Sequence, residues 1–165
     1  VSCIIDEKKK KENDMNLNMH VDIKVLDKEW SGETRDVLKI NEQRLTHEFI
    51  EHPSTYAWFA ALLAYATAET ESMKLSHEVL QANLYAEKRL EMAKGSGKVT
   101  EDKIKNAVVE DDRYAASQEQ LTETKRQHGI VRAIVTALEH RKDMLIQLGA
   151  TRRQEMFSDG ISIAK

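Results

Sequence analysis

Between Ser54 and Lys94 neither glycine nor proline interrupts the chain. Apolar residues recur there at three- and four-residue steps: Tyr56, Phe59, Leu63, Ala66, Met73, Leu80, Leu84 and Met92. That period predicts one long helix with a buried face, roughly 60 Å long at about 1.5 Å per residue. Pro53, with Ser54 and Thr55 behind it, reads as its start, since proline is tolerated in a first turn and a hydroxyl can cap open amides. Gly95-Ser96-Gly97 reads as its end. Thr100 then offers a cap for a short helix, Glu101 to Glu110, with Glu101 and Asp102 well placed against the helix dipole. Asp111-Asp112 is a second cap signal. The last long helix is expected from Arg113 to Leu148, about 55 Å, with Gly149 as its stop. Two helices of matched length and a short connection imply antiparallel neighbours. The fold class is therefore mainly α: a long antiparallel helical hairpin over 53–149 with a short helix near its tip, followed by a mobile end, 150–165.

The last helix carries more apolar surface than one seam needs. Leu121, Thr124, His128, Val131, Val135, Leu138 and Leu145 form a seven-residue stripe. Ile130, Ile134, Met144, Ile146 and Leu148 lie outside it. A two-helix hairpin buries one stripe, so the second surface predicts a partner, most simply another copy of the chain. These five residues are the expected oligomer interface.

Before the hairpin the pattern changes. Val21, Ile23 and Val25 alternate with polar Asp22 and Lys24, a short strand signal that Ser31-Gly32 breaks. A turn around Ile40-Asn41 and a short helix from Glu42 to Ile50 follow, with Leu45 and Phe49 on its inner face. Residues 19–52 thus form a small strand and helix segment. Residues 1–18, with the run Lys8 to Lys11 and no periodic apolar face, read as a disordered tail, or in part as a foreign extension because the first methionine is Met15.

Composition narrows the function classes. Aromatics are 5% of 165 residues and there is one proline, so the core must be aliphatic and helical. One cysteine, Cys3, excludes an internal disulfide. No apolar run reaches the length of a membrane span, and the start does not resemble a signal peptide, so a cytoplasmic location is expected. The net charge of −3 divides unevenly: residues 1–52 carry 9 basic and 12 acidic side chains, residues 53–153 carry 15 and 14. The helical part is near neutral, so nucleic-acid binding would need local clusters or many subunits.

No catalytic or metal motif survives a spacing check. His47 and His52 flank Glu48 and Glu51 but stand five apart, where a zinc helix needs four. Gly95-Ser96-Gly97-Lys98 lacks the first glycine and the hydroxyl of a phosphate loop and follows a helix. The remaining histidines are scattered, and His128 falls in the apolar stripe. No enzymatic activity, cofactor or metal is expected. Two basic clusters remain. Lys88, Arg89, Lys94, Lys98, Lys103 and Lys105 surround the hairpin tip; Arg141, Lys142, Arg152 and Arg153 mark its open end. Each reads either as a solvated helix face or, repeated around an oligomer, as a phosphate-binding surface. Tyr85 near the first cluster reads either as a base-stacking ring or as core.

Arg35-Asp36-Val37, Ile40-Asn41, Leu45 with Glu48, and Tyr56 with Trp58-Phe59 resemble the opening signature of the UvsY-type recombination mediators of bacteriophages. The segment from Leu138 through Glu139-His140-Arg141-Lys142-Asp143 to Ala150 looks like the family's close. The resemblance covers 33–156. It implies a non-enzymatic protein that forms a homo-oligomeric ring and binds single-stranded DNA. It also implies action in the bacterial host cytoplasm, helping a RecA-like recombinase displace the single-strand-binding protein. One departure stands out: Gln81-Ala82-Asn83-Leu84 occupies the place of the family's Lys-Ala-Arg-Leu element, and Lys88 and Arg89 lie one to two turns later. The alternative is a helical phage assembly factor, adaptor or chaperone-like protein that binds no DNA.

Overall fold

The computed structural model describes residues 19–95 and 99–163, with side chains as far as Ser158. The expected tail, 1–18, and the turn residues Ser96, Gly97 and Lys98 lie outside the described residues. The elements are β1 (His20–Val25), β2 (Lys28–Glu33), α1 (Thr34–Leu38), a 3-10 turn (Glu42–Arg44), α2 (Leu45–Ala93), α3 (Glu101–Val109) and α4 (Asp112–Ile163). Two compact units form. One holds residues 19–23, Glu29–Tyr56 and Thr136 onward; the other holds Lys24–Lys28 and Ala57–Val135.

The mainly helical reading holds, with a long helix pair, and the strand signal becomes an antiparallel hairpin of two strands. Val21, Ile23 and Val25 are buried while their neighbours along β1 are exposed, as period-two patterning requires. Ser31-Gly32 does not break the pattern but lies inside β2. Trp30 and Gly32 share a face, and the Trp30 ring covers the place a side chain would take: a Cβ on Gly32 would lie 3.1 Å from Trp30 Cζ2. Leu26, in the turn between the strands, has φ of 53°, a left-handed conformation that costs a branched residue about 1–2 kcal/mol.

In the second unit, α2 presents Phe59, Leu62, Ala66 and Leu84 to the core. Tyr85 and Lys88 bind Glu101 and Asp111, and His77 Nδ1 lies 3.0 Å from Ser117 Oγ. With Arg113 3.1 Å from Glu87, partners on α4 come earlier as those on α2 come later, so the helices run antiparallel. The buried pair Ile104 and Val108 seats α3 by one i, i+4 face. Asp111 caps α4 by accepting from the Arg113 amide at 3.0 Å. On α4, Leu121, Val131 and Val135 of the expected stripe are buried, while Thr124 and His128 are half-buried.

Several boundaries and faces are corrected. α2 does not begin at Pro53; it begins eight residues earlier and carries that proline inside. Proline in a helix interior costs about 3 kcal/mol, and the extra turns are held by Glu48 and His52, both bonded to Arg141. α4 does not stop at Gly149 but runs to Ile163, so most of the expected mobile end is helical. Gly149 serves close packing instead: a Cβ there would stand 2.9 Å from Phe49 Cζ. Ile134 is 5% exposed and belongs to the core of its own unit, not to a free outer face. The end of β1 reaches α4 within the second unit. Val25 is fully buried, and the Lys24 amide donates to Gln127 Oε1 at 3.4 Å. Ile130 and Leu148 are half-buried; Met144 and Ile146 are exposed. Met144 and Ile146 are two residues apart and point to different sides of the helix, so the five do not make one patch.

Candidate nucleic-acid interface

The tip cluster is partly neutralised. Lys88 Nζ lies 3.1 Å from Asp111 and 3.8 Å from Glu91, and the bond to Asp111 raises its pKa. Asp111 also takes Arg113 at 2.9 Å, and Arg113 reaches Glu87 at 3.1 Å. Bonds from Arg113 and Lys88 hold the Asp111 carboxyl far below the usual carboxylate range. The hollow beside these residues is lined by Glu110, Asp111 and Asp112 as well as Lys88 and Arg113, which is no place for a phosphate. Tyr85 is half-buried and donates its hydroxyl to Glu101, so it ties α2 to α3. Arg89, Lys94, Lys103 and Lys105 are exposed. Lys98 lies outside the described residues.

At the other cluster, Arg141 is not a surface residue. Its side chain is 8% exposed. Nε donates to Leu38 O at 3.3 Å, Nη2 to Lys39 O at 3.2 Å, and Nη1 to His52 Nδ1 at 3.0 Å; Glu48 pairs with Nη2. The guanidinium thereby satisfies carbonyls at the end of α1, which a short helix leaves open. Arginine can only donate, so His52 Nδ1 accepts and the ring is neutral. Burial, then the positive charges of Arg141 and Lys142, lower the His52 pKa from its ordinary 6.5. The unfolded chain binds the proton first, so stability is complete above pH 6.5 and declines as pH falls through the lowered value. Urea midpoints at about pH 7.5 and about pH 5.5 are expected to show that decline. In His52→Gln, whose amide oxygen still accepts from Arg141, the difference should shrink.

Arg152 and Arg153 meet a different set of partners. With Gln43, Arg44, Leu45, Thr46, His47, Phe49, Gly149 and Met156 they line an open cleft of about 520 Å³. Arg44, Arg152 and Arg153 are exposed, and among the described residues no carboxylate lines the cleft. Arg152 is steadied by Nη1 donating to Glu42 O at 2.7 Å; Glu42 and Glu155 line the hollow on its other side. Phe49 is 41% exposed and rests over Gly149. Three guanidinium groups around an accessible aromatic ring can hold phosphates while a base stacks.

Arg152 and Arg153 thus lie together at one open cleft, Arg141 is buried, and Lys142 is exposed, 3.6 Å from Asp143. Arg44, His47 and Phe49, which belong to neither charge cluster, line the same cleft. Among the described residues, no group of three or more His, Cys, Asp or Glu side chains is placed to hold a metal ion. Nor is any helix there long and apolar enough to cross a membrane. No protein-family model, curated protein or solved structure matches the chain.

Proposed function

We propose that this chain is a non-enzymatic, homo-oligomeric protein that binds single-stranded DNA. It acts as a recombination mediator, helping a RecA-like recombinase displace the single-strand-binding protein. The cleft in which Arg44, Arg152 and Arg153 surround Phe49 is the observation that carries the reading. Guanidinium groups bind phosphate oxygens in pairs, and a half-exposed phenyl ring takes only a base that is not already stacked in a duplex. One near-neutral subunit binds weakly; several subunits holding one strand multiply its contacts and bend it away from a competing protein.

Fluorescence anisotropy with a labelled oligonucleotide tests this. Three phosphate contacts give a slope of about −2 in log affinity against log salt, or a loss of about 20-fold between 50 and 200 mM, and an oligomer exceeds that. The double variant Arg152→Ala, Arg153→Ala is expected to flatten the slope by about 1.4 per engaged subunit and to lose most binding, while Lys142→Ala changes little. If the assembled wild type does not bind single strands at about 50 mM salt, the DNA reading fails. The reading as an assembly factor or adaptor then stands in its place, favoured by the exposed Met156 and Phe157.

A further inference from the structure

In the second unit α2 carries another apolar row, on the side away from its core. Tyr65, Ala68, Ser72, Leu75, Val79 and Ala82 follow one another by steps of three and four, and all are exposed. Leu75 is 62% exposed and Val79 52%. The same steps reach Trp58 and Ala61 before them and Ala86 and Arg89 after, also exposed. From Trp58 to Ala86 no position of the row is charged. A strict mean step of 3.5 is the signature of a helix that supercoils with another helix.

We infer that this row is a subunit contact in which α2 pairs antiparallel with α2 of a second copy. The row is complementary to its own reverse. Turned about its midpoint between Ser72 and Leu75, it sets Tyr65 against alanine 82, Val79 against alanine 68, and Leu75 against Ser72. From Tyr65 to Ala82 each larger side chain meets a small one, and Ala61 meets Ala86 beyond them, which lets two backbones approach to about 8–10 Å. At the ends, Trp58 meets Arg89, a cation–π pair made twice by the two-fold axis. Parallel pairing in register would instead stack Trp58 on Trp58, Tyr65 on Tyr65 and Leu75 on Leu75, setting each bulky side chain against its own copy. The cost lies at one edge, where Glu71 faces Glu78 of the other copy. Lys74 sits three residues from one and four from the other on the same helix, the spacing at which it offsets both.

This contact specifies how the proposed oligomer is joined, and its test contains no DNA, so an assembly made through another face would overturn it and leave the DNA reading standing. The full chain is measured by sedimentation, with helix content followed by circular dichroism. Leu75→Glu with Val79→Glu should retain the helix content and lose at least half of the assembled mass. Wild-type assembly should persist at about 0.5 M salt, where screening relieves the Glu71–Glu78 edge, whereas DNA binding weakens. In a Cys3→Ser background, Tyr65→Cys mixed with Ala82→Cys should form a disulfide-linked dimer on oxidation, and neither should alone. A monomeric wild type, an unchanged mass in the double variant, or cross-linking of Tyr65→Cys with itself would overturn the inference.

Discussion

Replacing Arg141 with alanine is expected to lower the stability of the fold by about 3–5 kcal/mol, the cost of breaking a buried ion pair from one side. The truncation strands several groups at once. Glu48, whose side chain is 16% exposed, loses its cation and keeps only the Asn41 amide, which donates to Oε1 at 3.2 Å. His52 loses the donor at its Nδ1, and the carbonyls of Leu38 and Lys39 lose theirs. The two turns of α2 before Pro53 then have little to hold them. Because Phe49 lies in those turns, the cleft should loosen with them. Arg141→Lys recovers only part of the loss, since an ammonium cannot reproduce a planar fork with bonds in several directions. The double variant Glu48→Leu, Arg141→Met removes both charges and should be far less damaging than Arg141→Ala. Denaturant titrations followed by circular dichroism decide this, with Lys142→Ala, next along the helix and exposed, expected to stay within about 0.5 kcal/mol of wild type.

Ile134→Asp is expected to cost about 4 kcal/mol or more, enough to unfold a marginal domain. Ile134 is 5% exposed, so a carboxylate there is cut off from the water that would solvate it. The informative control is Ile146→Asp, at a residue 54% exposed, which should leave the denaturation midpoint nearly unchanged. If Ile134→Asp merely dissociated an assembly while each chain stayed folded, Ile134 would be an interface residue. Loss of helix content at every protein concentration identifies it as core.

Much of this was legible in the chain. The inner face of α2 was readable because helical period is a local property: Phe59, Ala66 and Leu84 are buried, and Tyr56, Leu63, Met73, Leu80 and Met92 half-buried. So was Asp111, because an aspartate ahead of a periodic apolar run can satisfy open amides without help from elsewhere. Arg141 was misplaced, although a signal existed. It stands three residues after Leu138 and four before Leu145, on the face that both bury, and a charge in such a row implies a buried partner. The cleft was half legible. Arg152 and Arg153 are adjacent in the chain, but Arg44, His47 and Phe49 lie more than 100 residues away, and beginning the first helix at Pro53 left them off it.

What the sequence by itself determined is the helical class, the two long helices, the short one between them and the seam that joins them. Those follow from spacing, caps and breakers within a few residues of one another. What only the tertiary structure decided is where the helices begin and end and which charges meet water. Pro53 and Gly149 both read locally as boundaries. A buried Arg141 bonded to Glu48 and His52 offsets the cost of the proline, and the Phe49 ring occupies the space left by the glycine. Both long helices therefore run past their local stops, because contacts between residues about 90 to 100 positions apart outweigh a local preference of a few kcal/mol.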